Sequence, residues 1–243
     1  MSDIQIVADA DALAVEAAHR IVTTAQEAIH ENGRFSLALS GGSTPERLYR
    51  LLAGKPFAEQ IDWAKVYVFW GDERCVPPDH PDSNYRMAHE ALLAHVPIPA
   101  GQIHRIYGED DPGEAAQAYE KALREFCGDG PPRLDLILLG MGDDGHTASL
   151  FPHSAALDAP PDRWVVENLI PTKQVWRVTL TASAINAARQ VIFLVSGPEK
   201  AERLQQVLHS PYRPHDLPAQ LIHPANGKLL WLVDEAAAQA VNS

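Results

Sequence analysis

Leu134-Asp135-Leu136-Ile137-Leu138-Leu139-Gly140-Met141-Gly142-Asp143-Asp144-Gly145-His146-Thr147 is the stretch whose reading decides the fold. Its first half, the apolar run Leu134–Leu139 after Pro131-Pro132, predicts a strand buried on both faces. Such a strand needs cover above and below, and helices flanking a parallel sheet supply it. Its second half is a polar, glycine-rich loop at the strand's carboxyl end, where open α/β sheets collect their ligands.

The same alternation extends in both directions. Ile4–Val7 predicts a strand, and Ala10–His30 a helix with Leu13, Ala17, Ile21, Ala25 and Ala28 on one face, stopped by Asn32-Gly33. Phe35–Leu39 predicts a strand leading through Ser40-Gly41-Gly42-Ser43 into a helix over Thr44–Leu52. Val66–Trp70 predicts a strand that ends in Gly71-Asp72-Glu73-Arg74. Helices are expected at Ser83–Ala94, Pro112–Phe126, Ala182–Ala188 and Glu199–Leu208, and from Asp234 onward. Strands are expected at Val175–Leu180, Val191–Val195 and Leu229–Val233. The order predicts an α/β fold with a largely parallel sheet and helices on both faces. Pro77–Pro81 and His209–Pro218 read as surface loops, because the alternation resumes after each, so one domain over residues 1–243 is expected.

Charge narrows the partners. The 243 residues carry 32 Asp and Glu against 20 Lys and Arg, a net charge of −12. A strongly acidic chain repels polyanions, which argues against nucleic acid and anionic membrane surfaces. Two cysteines, Cys75 and Cys127, cannot make a CxxC pair or a four-ligand zinc site, and read as reduced thiols. The amino terminus lacks the basic and apolar regions of a signal peptide, and no apolar run approaches the ~20 residues of a membrane span. A soluble, cytoplasmic protein is expected.

Four strand ends carry candidate chemistry. In Ser40-Gly41-Gly42-Ser43-Thr44-Pro45 the glycines let backbone N–H groups approach an anion at a helix N-terminus. Thr44 before Pro45 also fits an N-cap, and Ser43 with Glu46 a capping box, so ordinary capping is the competing reading. The second loop contains a literal G-x-G-x-x-G, Gly140 to Gly145, and lies one residue from a P-loop with His146 in the lysine position. Pro152 leaves no room for the long helix of a dinucleotide fold, and Asp143-Asp144 suits no pyrophosphate. The glycines instead suit a close backbone approach that presents His146 for proton transfer, with Asp144 in place to fix the imidazole tautomer.

Arg74, beside Asp72 and Glu73, suits either a phosphate or an internal ion pair. Lys200 falls in the first turn of a helix, where a cation opposes the helix dipole by ~0.3–1 kcal/mol, which hints at an anion nearby. No G-x-S-x-G elbow and no H-E-x-x-H spacing is present. The residues alone point to acid–base chemistry on a small phosphorylated molecule, with no metal and no nucleotide cofactor.

Leu37–Pro45, Phe69–Arg74, Asp135–Pro152, Arg177–Thr181 and Ile192–Ala201 resemble the 6-phosphogluconolactonase family, and together span nearly the whole chain. The resemblance implies a Rossmann-like α/β fold shared with glucosamine-6-phosphate deaminases. It implies hydrolysis of 6-phosphogluconolactone to 6-phosphogluconate in the oxidative pentose phosphate pathway, without a cofactor. It makes His146 the general base, and Gly41, Gly42, Ser43 and Thr44 the phosphate cradle, with Arg74 and Lys200 supplying charge. Arg177 either assists or pairs with a carboxylate, and Asp72 and Asp144 bind sugar hydroxyls or orient the imidazole.

The deaminases follow Asp-Gly-His with Ile-Ala-Phe-Asn-Glu, whereas this chain has Thr147-Ala148-Ser149-Leu150-Phe151-Pro152. It also has Arg74 where they carry an aromatic residue. Both departures favour the lactonase over deaminase/isomerase chemistry or a non-catalytic sugar-phosphate sensor. The expected partner is a small sugar phosphate, and the expected state a monomer or small homo-oligomer.

Overall fold

The computed structural model describes residues 3–128, 130–170 and 172–241. In chain order its first elements are β1 (Asp3–Val7), α1 (Ala10–Asn32), β2 (Phe35–Leu39), α2 (Ser43–Leu52), β3 (Val66–Trp70), β4 (Asp72–Arg74) and α3 (Asn84–Ala88). The remaining elements are α4 (Pro112–Cys127), β5 (Leu136–Leu139), β6 (Val165–Ile170), β7 (Val175–Leu180), α5 (Ala182–Asn186), β8 (Gln190–Val195), α6 (Ala201–His209), β9 (Lys228–Asp234) and α7 (Glu235–Ala238).

Six strands form a parallel sheet in the order β1-β9-β8-β5-β2-β3, with helices around it. Every residue of β2 and β5 is buried, as an apolar run without alternation requires. Helix α1 shows how sequence sets the cover. Asp9 caps it by accepting from the N–H groups of Asp11 and Ala12, and Gly33 ends it in the left-handed region at φ 73°. The alanine-rich stripe Leu13, Ala17, Ile21, Ala25 and Ala28 is buried between these caps.

The charged residue within the Leu134–Leu139 run has a structural explanation. Asp135 is buried, and its Oδ2 accepts from the Ser36 N–H at 2.8 Å and the Ser36 hydroxyl at 2.6 Å. It pins the start of β5 to the start of β2, where Leu37 lies opposite Leu136.

One expectation needs correction. Val175–Leu180 is not part of the parallel sheet: β7 lies in a separate three-stranded antiparallel sheet, β4-β7-β6. The link from β6 to β7 is short, and a short link between paired strands forces them antiparallel. The crossover from β5 to β8 carries β6 and β7 as an excursion. The two sheets meet at Gly71, whose N–H donates to Leu39 O at 2.9 Å and whose carbonyl accepts from Leu180 N–H at 2.8 Å. Val165, Val178 and Leu180 join the same continuous core as the parallel sheet. The expected helix Ser83–Ala94 is α3 followed by a π turn, His89–Leu93. Among the described residues no helix is long and apolar enough to cross a membrane.

Candidate active site

The first glycine loop leaves β2 and enters α2. Tyr49 fixes its root: the phenol accepts from Ser40 N–H and donates to Ser40 O, both at 2.9 Å. Burial pushes the Tyr49 hydroxyl far up, so it stays protonated for that double role. The helix begins at Ser43, not Thr44, and Gly42 occupies the cap position at φ 109°. The expected Thr44 N-cap and the Ser43–Glu46 capping box are both absent: Gly42 O takes the Glu46 N–H at 3.0 Å, and the Glu46 carboxylate pairs with Arg50 at 2.6 Å. No side chain caps the first turn, so its N–H groups stay available to an incoming anion. Gly41 is required by space, since a Cβ there would stand 1.9 Å from Asn84 Oδ1.

The second loop leaves β5 and folds back on itself. Gly142 N–H donates to His146 O at 2.9 Å, and Gly145 N–H to Gly142 O at 3.0 Å, with Gly145 at φ 83°. No α-helix succeeds it, in keeping with Pro152. The His146 ring stacks on Phe151, with centroids 3.9 Å apart and planes 16° off parallel. Its Nδ1 meets Asp144 Oδ1 at 2.5 Å, and the same oxygen accepts the His146 N–H at 3.1 Å. Burial works to raise the Asp144 carboxyl, but the hydrogen bonds from the His146 ring and backbone outweigh it and hold it at about 2. A Cβ on Gly142 would lie 2.0 Å from His146 Nδ1, so only glycine leaves the ring its place.

The third wall comes from the antiparallel sheet. Arg74 on β4 lies directly opposite Arg177 on β7. Arg177 is largely buried, and desolvation first, then the nearby Arg74, lowers its pKa against the pull of Asp72. Arg177 Nη1 stands 3.9 Å from Asp72 Oδ2, a loose pair. Asp72 is held elsewhere: Ser149 Oγ donates to its Oδ2 at 2.6 Å, and Asn84 Nδ2 to its backbone O at 2.9 Å. Glu73 points inward and accepts from the N–H groups of Arg74, Asn84 and Tyr85 at 2.7–2.8 Å, anchoring the start of α3. Burial pushes its carboxyl up against those bonds.

Lys200 lies beyond the end of β8. It closes the 3₁₀ turn Pro198–Lys200, and α6 starts one residue later, so the helix expected from Glu199 begins at Ala201. The anion that its position hinted at is present within the protein, because Lys200 Nζ pairs with Asp143 Oδ1.

These four strand ends enclose a cavity of about 230 Å³ lined by Gly41, Gly42, Asp72, Arg74, His146, Arg177 and Lys200, among others. Ser43 and Thr44 stand in the adjoining first turn of α2, and Asp144 lies behind His146, so none of the three is in the lining. Sequence reasoning missed Asn84, Met141 and Ala148 in the wall and Ser149 behind Asp72. Ala148 adopts φ 48°, rare for a residue with a Cβ, at a point where the neighbouring Ser149 is tied to Asp72. Asn84 gives no local signal, because its importance arises from contact with Gly41 and Asp72, both distant in sequence.

Parallel strands ending in an uncapped glycine loop, facing basic side chains and one oriented histidine, define an α/β protein with a small polar cavity at its strand ends. A family model described as glucosamine-6-phosphate isomerases/6-phosphogluconolactonase matches residues 8–231, and the chain belongs to that family. It is 44% identical over 238 residues to a 6-phosphogluconolactonase of Nostoc sp., covering 96% of each chain. It is 39% identical over 226 residues to a 6-phosphogluconolactonase of Haemophilus influenzae, covering 92% of this chain and 96% of that one. A solved 6-phosphogluconolactonase from Trypanosoma cruzi superposes with a TM-score of 0.88 at 31% identity, covering 100% of this chain and 98% of that one.

Proposed function

We propose that the chain acts as a 6-phosphogluconolactonase, hydrolysing 6-phospho-D-glucono-1,5-lactone to 6-phospho-D-gluconate, in one domain over residues 1–243. The observation that carries this reading is the cross-strand pair Arg74–Arg177. Like charges directly opposite on a sheet destabilise it. A dianionic phosphate between the two guanidinium groups, the α2 N-terminus and Lys200 turns that cost into binding. The 6-phosphogluconolactonases named above support the choice of substrate.

The chemistry turns on one proton. Asp144, held at about 2, is ionised at neutral pH and can only accept. His146 Nδ1 therefore carries the hydrogen of the 2.5 Å bond, which leaves Nε2 as the nitrogen that takes and returns the proton. Nε2 removes a proton from water as its oxygen attacks the lactone carbonyl. The bond from that carbon to the ring oxygen then breaks, and the imidazolium returns the proton to the departing oxygen. Asp72, fixed by Ser149, accepts from a sugar hydroxyl.

The test is a continuous assay of acid release from freshly generated lactone against the spontaneous background. Rapid, saturable hydrolysis is expected. Background-rate hydrolysis together with ammonia release from glucosamine 6-phosphate would replace this reading by the deaminase one. Binding of sugar phosphate with neither reaction would make the chain a sensor.

A further inference from the structure

The amino ends of β2, β5 and β8 frame a second cavity, of about 470 Å³, at the opposite end of the parallel sheet from the site above. Arg34, Arg133 and Arg189 all line it. Among the described residues its one lining carboxylate is Asp135. Three guanidinium groups around one hollow are out of keeping with a chain of net charge −12.

Among the described residues, each arginine is held in place by a partner that leaves most of its donors unengaged. The Arg34 guanidinium lies 4.0 Å above the Phe126 ring centroid and donates to Phe126 O at 3.3 Å. Arg133 donates to Asn226 O at 3.1 Å. Carbonyls position these two groups and neutralise neither. Arg189 Nε faces Asp135 Oδ1 at 3.3 Å, while Oδ2 is occupied by Ser36. Among the described lining residues one charge is cancelled and two remain. Glu27 and Glu31 line the adjoining groove, not this cavity.

We propose that this cavity is a second anion site that takes a dianionic phosphate group, free or as a small phosphate monoester. Planar guanidinium forks match phosphate oxygens two at a time, and stacking on Phe126 keeps one fork ordered before the ligand arrives. A hollow of this volume holds a phosphate with a small organic group, and its open rim suits a soluble metabolite. The site needs no part of the catalytic cavity.

The experiment is calorimetric titration with inorganic phosphate and, separately, glycerol phosphate. It uses the Arg74→Ala/Lys200→Ala double variant, in which the catalytic cavity is weakened. One-to-one binding is expected there, and adding Arg34→Ala/Arg133→Ala should weaken it about ten- to a hundred-fold. In an otherwise wild-type chain, Arg34→Ala/Arg133→Ala should leave lactone turnover unchanged, which separates this site from the catalytic reading. Arg133→Glu, a single surface change, gives the same loss if the double variant folds poorly. Tighter binding of glycerol phosphate assigns an organic ligand, and equal binding assigns phosphate alone. No binding in the Arg74→Ala/Lys200→Ala protein overturns the proposal. So does binding that survives Arg133→Glu.

Discussion

The two glycine loops stand side by side at the ends of β2 and β5, yet they are built in opposite ways. Ser40-Gly41-Gly42 runs straight into a ten-residue helix, and its glycines expose N–H groups at a positive dipole end. Gly140 to Gly145 runs into no helix, and its glycines clear space for a stacked and hydrogen-bonded imidazole. The element that each glycine loop enters, not its number of glycines, separates the proposed roles of anion cradle and proton transfer. The literal dinucleotide motif falls on the loop that lacks the helix.

The difference can be broken most severely at His146. His146→Ala should lower kcat by about 10²–10⁴-fold with little change in KM, because a positioned base contributes that much; steady-state kinetics on the lactone checks it. The sharper comparison places one extra methyl group in each loop. In Gly142→Ala the new Cβ meets His146 Nδ1 at 2.0 Å, and displacing the base should cost roughly 10²-fold in kcat. In Gly41→Ala the Cβ meets Asn84 Oδ1 at 1.9 Å and pushes the cradle open, so about a 10-fold rise in KM is expected with kcat held. If both variants lost kcat alone, the division of labour would fail.

A fourth effect is read by pH. The Asp144 carboxyl is lowered from 3.8 to about 2 on folding, so ionised Asp144 favours the folded state. That contribution is complete above about pH 4 and is lost as the pH falls through about 2. Thermal melts of Asp144→Asn should therefore decline less steeply across that window than those of the wild type. The smallest effect is expected from Asp143→Asn. It frees Lys200 from an exposed partner that, in the proposed function, competes with the substrate phosphate, and should lower KM by a few-fold at most.

The centre of the parallel sheet was legible because β5 and β8 are near-continuous apolar runs, the pattern of strands buried on both faces. The antiparallel sheet was not. β4 is Asp72-Glu73-Arg74, three charged residues without an apolar face, and it becomes a strand by pairing with β7. β6 carries the buried Asn168, whose amide donates to Ser149 O and Ser154 Oγ, so its pattern breaks where tertiary contacts begin. The start of α2 offered two polar caps and adopted neither, because Gly42 alone tolerates the conformation at the junction. His146, Arg74 and Lys200 were readable as strand-end residues, whereas Arg177, inside β7, entered only through the family resemblance. Asn84 and Ser149, which act through Gly41 and Asp72, were not.

Asp135 and Ser36 give the pair of loops a common origin. Because the carboxylate engages both the N–H and the hydroxyl of Ser36, β5 is keyed to β2 at one register. Sliding by one residue would abandon the key and turn every side chain of β5 to the other face. The separation between cradle and base is therefore indexed at the far end of the sheet, before either loop begins. A buried acid remote from the strand-end cavity thus acts as its alignment pin.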